Sequence, residues 1–92
     1  MLMVMNNNRA YHEEVMHLQR IGNRRNRGID RASIGAGLDD PAIDFAKLAQ
    51  SLGWYAEGPI TDPKDLAPAV KRALAVVKRG EPALLDVVTQ PR

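Results

Sequence analysis

Two Asp-Pro dipeptides, Asp40-Pro41 and Asp62-Pro63, each precede an apolar stripe of helical spacing that ends at a glycine and is followed by a short strand-like run. An acid at the N-cap followed by Pro at the first helical position is a strong helix start, because Pro gives up an N–H that would have no intrahelical partner. From Asp40, the residues Phe45, Leu48, Ala49 and Leu52 form the stripe of a helix that stops at Gly53. From Asp62, the stripe is Leu66, Val70, Ala73 or Leu74, and Val77, with Lys78 and Arg79 favourably placed at the negative helix end before Gly80. Trp54–Ile60 and Pro82–Val88 then read as strands. Helices alternating with strands in this way point to a parallel sheet with right-handed crossovers.

The first half is less regular. Leu2 to Met5 is a continuous apolar run, the pattern of a strand covered on both faces, and it ends in Asn6, Asn7 and Asn8. Such a strand belongs in the interior of a sheet, so its place at the start of the sequence leads us to expect further elements before it. A helix from Ala10 to about Arg20 places Tyr11, Val15 and Leu18 on one face. Gly22 to Asp40 carries four glycines and no sustained period, and reads as a long loop. The expected class is therefore α/β, a partial parallel sheet with crossover helices in the order β-α-loop-α-β-α-β. All of it falls in one partial domain over residues 1–92, with a basic, glycine-containing loop at 22–40.

Composition limits the alternatives. With 92 residues the chain supports one small core, and an aromatic content of 4% leaves that core to aliphatic side chains and Ala. A formal charge of +2, from 13 basic and 11 acidic residues, is too balanced to mark a nucleic-acid or membrane-surface protein. The absence of cysteine excludes disulfides and thiolate metal sites. The leading apolar run is too short for a signal-peptide core or a membrane span, so a cytoplasmic location is expected.

Ligands of parallel α/β sheets gather at the carboxyl ends of strands, where the asparagines stand. An Asn amide oxygen suits a hard cation, and a following helix N-terminus favours phosphate, although Asn is also common simply in turns and caps. The stretch HEEVMH does not form a zinc helix. His12 and His17 are five apart, about 140° around a helix, and cannot share a metal as an i, i+4 pair does. The arginines Arg24, Arg25, Arg27 and Arg31 could grip phosphates, which gives the alternative of a small binding module contacting nucleic acid or an acidic partner. Without interleaved aromatics a nucleic-acid partner is not favoured. IGAGLDD is half of a G-x-G-x-x-G, with Asp40 where the third glycine would stand.

Taken in order, VMNNNRAYHEEVMHLQR, the basic loop, DPAIDFAKLAQSLG, AEGPI, DPKDLAPAVKRAL and PALLDVV resemble the latter half of the diphosphate-binding domain of thiamine-diphosphate-dependent enzymes. The nearest similarity is to the acetolactate-synthase-like decarboxylases and carboligases, which act as lyases or transferases. The resemblance implies thiamine diphosphate and Mg²⁺ as cofactors. It aligns Asn7 and Asn8 with the family's Asn pair, making the Asn8 side chain and the Ala10 carbonyl the metal ligands, with Tyr11 and His12 near the cofactor. In the family an upstream GDG segment supplies a third, acidic ligand, and a glutamate in a separate domain activates the cofactor. Neither is present here. The resemblance therefore implies a fragment with no catalytic residue of its own, inactive in isolation. Its partners would be the missing N-terminal portion of the same enzyme and further copies in a homo-oligomer, with no membrane involved.

Overall fold

The computed structural model describes residues 1–90 and contains three strands and three α-helices. They run in the order β1 (Leu2–Asn7), α1 (His12–Arg24), α2 (Phe45–Ser51), β2 (Tyr55–Ile60), α3 (Leu66–Lys78) and β3 (Ala83–Val88), with a 3₁₀ turn over Pro63–Asp65 leading into α3. The strands form one parallel sheet in the order β1-β3-β2, as the alternation of helix and strand requires. The described residues divide into two compact units. One comprises Met1–Asn7 and Asp44–Thr89, and the other is built on Asn8–Ile43.

In the first unit β3 is the centre of a three-layer arrangement. Successive strand residues face opposite sides. Ala83 and Leu85 pack with Ala69, Ala73 and Val76 of α3, while Leu84 packs on the other side with Ala46 and Ala49 of α2 and Ala56 of β2. Most of these contacts are made by alanines, so the helices lie close on the sheet and a small chain closes two cores without large side chains. Each buried methylene contributes about 0.8 kcal/mol, so stability here comes from the number of close contacts rather than from any one anchor.

Asp62 caps as expected, its side chain accepting the Lys64 N–H at 2.9 Å. Asp40-Pro41 does not start a helix. It sits in a turn closed by an Asp39–Ala42 bridge, and α2 begins at Phe45 with Asp44 as N-cap, accepting the Lys47 N–H at 2.9 Å. Asp-Pro is equally a turn initiator, and Asp44 offers the same capping oxygen next to the residues that pack. The shift turns Ala46 and Ala49 inward and leaves Leu48 and Leu52 at 51% and 72% exposure, so the expected stripe is only partly the buried one. Likewise β1, read as an interior strand, lies at the sheet edge with Met3 and Val4 exposed. Met3 stands in register with Leu84 and Val4 with Leu85, and Met3 and Val4 each keep part of their apolar surface open to solvent.

In the second unit α1 extends through Gly22 to Arg24. A Cβ on Gly22 would stand 3.0 Å from Ile29 Cγ2, so the missing side chain lets the following segment fold back, with the Arg27 N–H donating to the Gly22 carbonyl at 2.7 Å. Val15 and Ala36 are its buried apolar residues.

Two features hold β2. Gly58 has φ +142°, and a Cβ there would lie 2.7 Å from both Cβ and the carbonyl oxygen of Asp86 on β3. Arg72 of α3 grips Glu57 of β2 through Nε at 3.0 and 3.1 Å and Nη2 at 2.8 Å, while the Tyr55 hydroxyl donates to the same carboxylate at 2.7 Å. The Arg72 hydrogen bonds hold the Glu57 carboxyl below the ordinary carboxylate range, and the bond to Glu57 raises the Tyr55 phenol. Arg72 is 54% exposed, so solvent screens the pair and its stabilising effect is modest.

Gly58→Ala is expected to cost about 3 kcal/mol, since it combines an unfavourable φ with a backbone clash. A urea unfolding midpoint equal to wild type would show that β2 can move off Asp86. Because the folded-state pKa of Glu57 is depressed, its contribution is complete above the ordinary value of about 4.3 and is lost as pH falls through the lower folded value. Wild-type melting temperature should therefore fall more steeply below about pH 4 than that of Glu57→Gln. Parallel curves would remove the ion pair from the account of acid stability.

Candidate functional site

Each strand of a parallel sheet delivers its last residue to the same edge, and β1 ends there with Asn7. Asn7 is 6% exposed. Its Nδ2 donates to Asp86 Oδ1 at 3.0 Å, and its carbonyl accepts the Thr89 N–H at 2.9 Å, continuing the ladder past β3. Asp86 is 1% exposed and receives a second donor on Oδ2, the Phe45 N–H at the first turn of α2, at 3.3 Å. A buried carboxyl group needs such donors, and no buried side-chain N or O atom among the described residues lacks a partner.

The remaining candidates lie in the second unit. Asn8 is half-buried and its Oδ1 accepts the Ala10 N–H at 3.1 Å, closing a short turn over Arg9, whose φ is +58°. Ala10 pairs with Gly37 in an antiparallel bridge, flanked by bonds from the Leu38 N–H to the Arg9 carbonyl and from the Tyr11 N–H to the Ala36 carbonyl, both 2.7 Å. Ala10 thus occupies the non-hydrogen-bonded position of that bridge, and its carbonyl faces away from the Gly37 segment. Tyr11 is the N-cap of α1 and its side chain is exposed, while His12 is the first helical residue and is half-buried. Asn8 and Ala10 are therefore brought together in one turn. Asn7 is held separately, by Asp86.

The oxygens of Asn8 and Ala10 have the chemistry of part of a hard-cation site. An amide oxygen has two lone pairs, so the bond from the Ala10 N–H leaves Asn8 Oδ1 able to accept a cation. Two neutral donors do not make a complete Mg²⁺ site, which combines one or two carboxylates with phosphate oxygens and water. Among the described residues no cluster of three His, Asp or Glu side chains could supply such a set. The first turn of α1 carries Glu13 and Glu14, both exposed, which oppose an anion at that helix N-terminus. A diphosphate near this turn would need a bridging cation.

Other surfaces offer less chemistry. An apolar groove of about 280 Å³ in the first unit is lined by residues including Met3, Met5, Leu48, Leu52 and Trp54, with no polar group facing it. The residues from Asn23 to Arg31, including four arginines, are all exposed, as a solvated segment would be. No helix among the described residues is long and apolar enough to cross a membrane.

Asp86 is the residue that the sequence reading missed. The available signal was an acid inside ALLDVV, where an otherwise apolar buried strand forces any carboxyl group to find donors nearby.

The sequence model of the family described as thiamine pyrophosphate enzyme, C-terminal TPP binding domain, matches residues 1–87. The chain belongs to that family and is a thiamine-diphosphate-binding segment with a small parallel α/β fold. No solved structure matches it.

Proposed function

We propose that this member of the thiamine pyrophosphate enzyme family supplies the metal-anchoring turn of a cofactor site in a 2-oxo-acid decarboxylase or carboligase of the acetolactate-synthase-like kind. The observation that carries the reading is the Asn8–Ala10 turn, which follows the end of β1 and offers an amide oxygen and a main-chain carbonyl as hard donors. Asn8 Oδ1 and the Ala10 carbonyl would hold Mg²⁺, and Mg²⁺ would hold the diphosphate of thiamine diphosphate. Tyr11 and His12, at the start of α1, would lie beside the cofactor, and Asn7 would be the first residue of the cofactor-binding asparagine pair. Bound thiamine diphosphate supplies the electron sink for breaking and making bonds next to a 2-oxo group. The chain's own part is to bind and orient, and no residue of it is assigned a catalytic role.

Electrostatics supports a metal-mediated rather than a direct grip on the diphosphate. Glu13 and Glu14 repel phosphate from the α1 N-terminus, whereas a cation on Asn8 and Ala10 reverses that sign locally. The two neutral oxygens leave the cation short of an anionic protein ligand. That carboxylate, together with the glutamate that activates the cofactor, would come from the rest of the same enzyme, in an assembly of further copies.

The test is a titration of the ¹⁵N-labelled chain with thiamine diphosphate and Mg²⁺. Expected are resonance changes confined to Asn8–His12, with midpoints on the order of millimolar, lost without Mg²⁺ and in Asn8→Ala. A calorimetric dissociation constant in the micromolar range would show that the donor set is complete without outside help. No localised change at all would remove the turn from the cofactor site.

A further inference from the structure

β1 is an open edge of the sheet, and the apolar groove beside it is built from residues of the same unit. The ladder with β3 fixes which main-chain groups of β1 are in use. The Met1 and Asn7 carbonyls accept from the Ala83 and Thr89 N–H groups, and the register runs unbroken from Leu2 on Ala83 to Asn7 on Val88. The odd-numbered residues of β1 therefore turn their N–H and C=O groups toward β3, and Leu2, Val4 and Asn6 turn theirs to the open side. No strand among the described residues lies on that side.

Side chains alternate between the two faces. Met3 and Met5 line the groove with Leu48, Leu52 and Trp54, while Val4, in register with Leu85, lies on the α3 side. No residue from Leu2 to Asn7 is charged, and none is a proline. Six free main-chain groups bordered by apolar side chains are the recognition chemistry of another strand.

We infer that this strand is β1 of a second copy of the chain, paired antiparallel about a two-fold axis at Val4. In an antiparallel ladder, residues with free groups face each other and exchange both bonds. Leu2 then meets Asn6 of the second copy, Val4 meets Val4, and Asn6 meets Leu2, so all six groups are satisfied. Moving the axis to Met3 or Met5 leaves one of the three residues on each copy unpaired. A parallel pair sets each bonded residue level with one that points away, so no two-fold axis can generate it from two identical strands.

The side chains match in the same register. Met3 lies against Met5 of the second copy at the close, non-hydrogen-bonded spacing, and the two grooves join into one apolar face. On the α3 side Val4 meets Val4, a β-branched pair suited to cross-strand packing. Met3, Val4, Leu48 and Leu52 are each at least 40% exposed. Covering them removes roughly 200 Å² of apolar surface per copy, and with the strand edges the interface reaches about 1,000 Å² in total. That is the lower limit for a specific interface, so the pair is weak and reversible, with a dissociation constant on the order of 10⁻⁵ to 10⁻⁴ M.

Sedimentation equilibrium of the full chain, with Val4→Lys and Val4→Glu, tests the pairing. Wild type is expected to pass from monomer to dimer with concentration and to stop there. Each variant sets like charges together at the axis and is expected to associate roughly tenfold more weakly or worse. An equimolar mixture of the two sets Lys opposite Glu and is expected to return to within about threefold of wild type. Hydrogen exchange of the wild type locates the contact without any substitution. The Val4 and Asn6 N–H groups are expected to exchange roughly tenfold more slowly well above the dissociation constant than below it, with Ala73 and Val76 of α3 unchanged. A wild-type chain still monomeric at about 1 mM would overturn the inference and leave the edge to a different chain. Growth beyond a dimer would overturn the closed pair in favour of open assembly. Exchange at Val4 and Asn6 that is independent of concentration, or a mixture that associates no better than its components while both remain folded, would place the contact elsewhere and overturn it as well.

Discussion

A single carboxyl group on the central strand organises the first unit. Asp86 is almost completely buried, and burying such a group without donors costs several kcal/mol, so the surrounding backbone has to meet its needs. Its oxygens take one donor from the end of β1 and one from the start of α2, while β2 approaches so closely that only glycine fits. Three elements distant in sequence thereby acquire a common reference point at the carboxyl edge of the sheet. The alanine-rich cores on either face favour close packing but do not choose a register. The polar pair does.

The same division explains where the unit is well covered and where it is not. α3 packs on all three strands and covers its side with Ala69, Ala73 and Val76, whereas α2 has two turns and packs on β2 and β3. On the α2 side, Met3, Leu48 and Leu52 therefore keep apolar surface open along β1. An apolar strand on the edge of a sheet is an association hazard, and β1 has neither a proline nor a charged residue to blunt it.

How much of this could be read from the sequence depends on whether local chemistry decided the outcome. The order of elements and the parallel sheet were legible because Asp62-Pro63, the glycines at helix ends and the apolar strand runs act within a few residues. Asp40-Pro41 carried the same local signal and misled, because Asp44 competes for the capping role and the packing of Ala46 and Ala49 against Leu84 decides between them. Long-range packing of this kind leaves no mark in a dipeptide. At the site, the asparagines stood out because strand ends are where parallel sheets place ligands. Their division of labour did not, since the partner of Asn7 lies seventy-nine positions away. The acid in ALLDVV was visible, but its partners became identifiable only once the register of β1 on β3 was known.

That division of labour bears on how a site of neutral donors can be selective. Asn8 and Ala10 offer two oxygens without net charge, and a flexible turn of that kind would bind any hard cation weakly. Selectivity for a small octahedral ion requires that the donors be held at a fixed spacing before the ion arrives, because Mg²⁺ tolerates little angular error and is slow to shed water. The Asn8–Ala10 bond, the bridge to Gly37 and the positive φ of Arg9 fix the turn internally. The Asn7 amide has a different task, a hydrogen bond to the buried Asp86 carboxyl group at the end of the sheet. On the proposed reading, neighbouring asparagines thus serve different ends: the Asn7 amide donates to Asp86 through its nitrogen, and the Asn8 amide offers its oxygen to a cation.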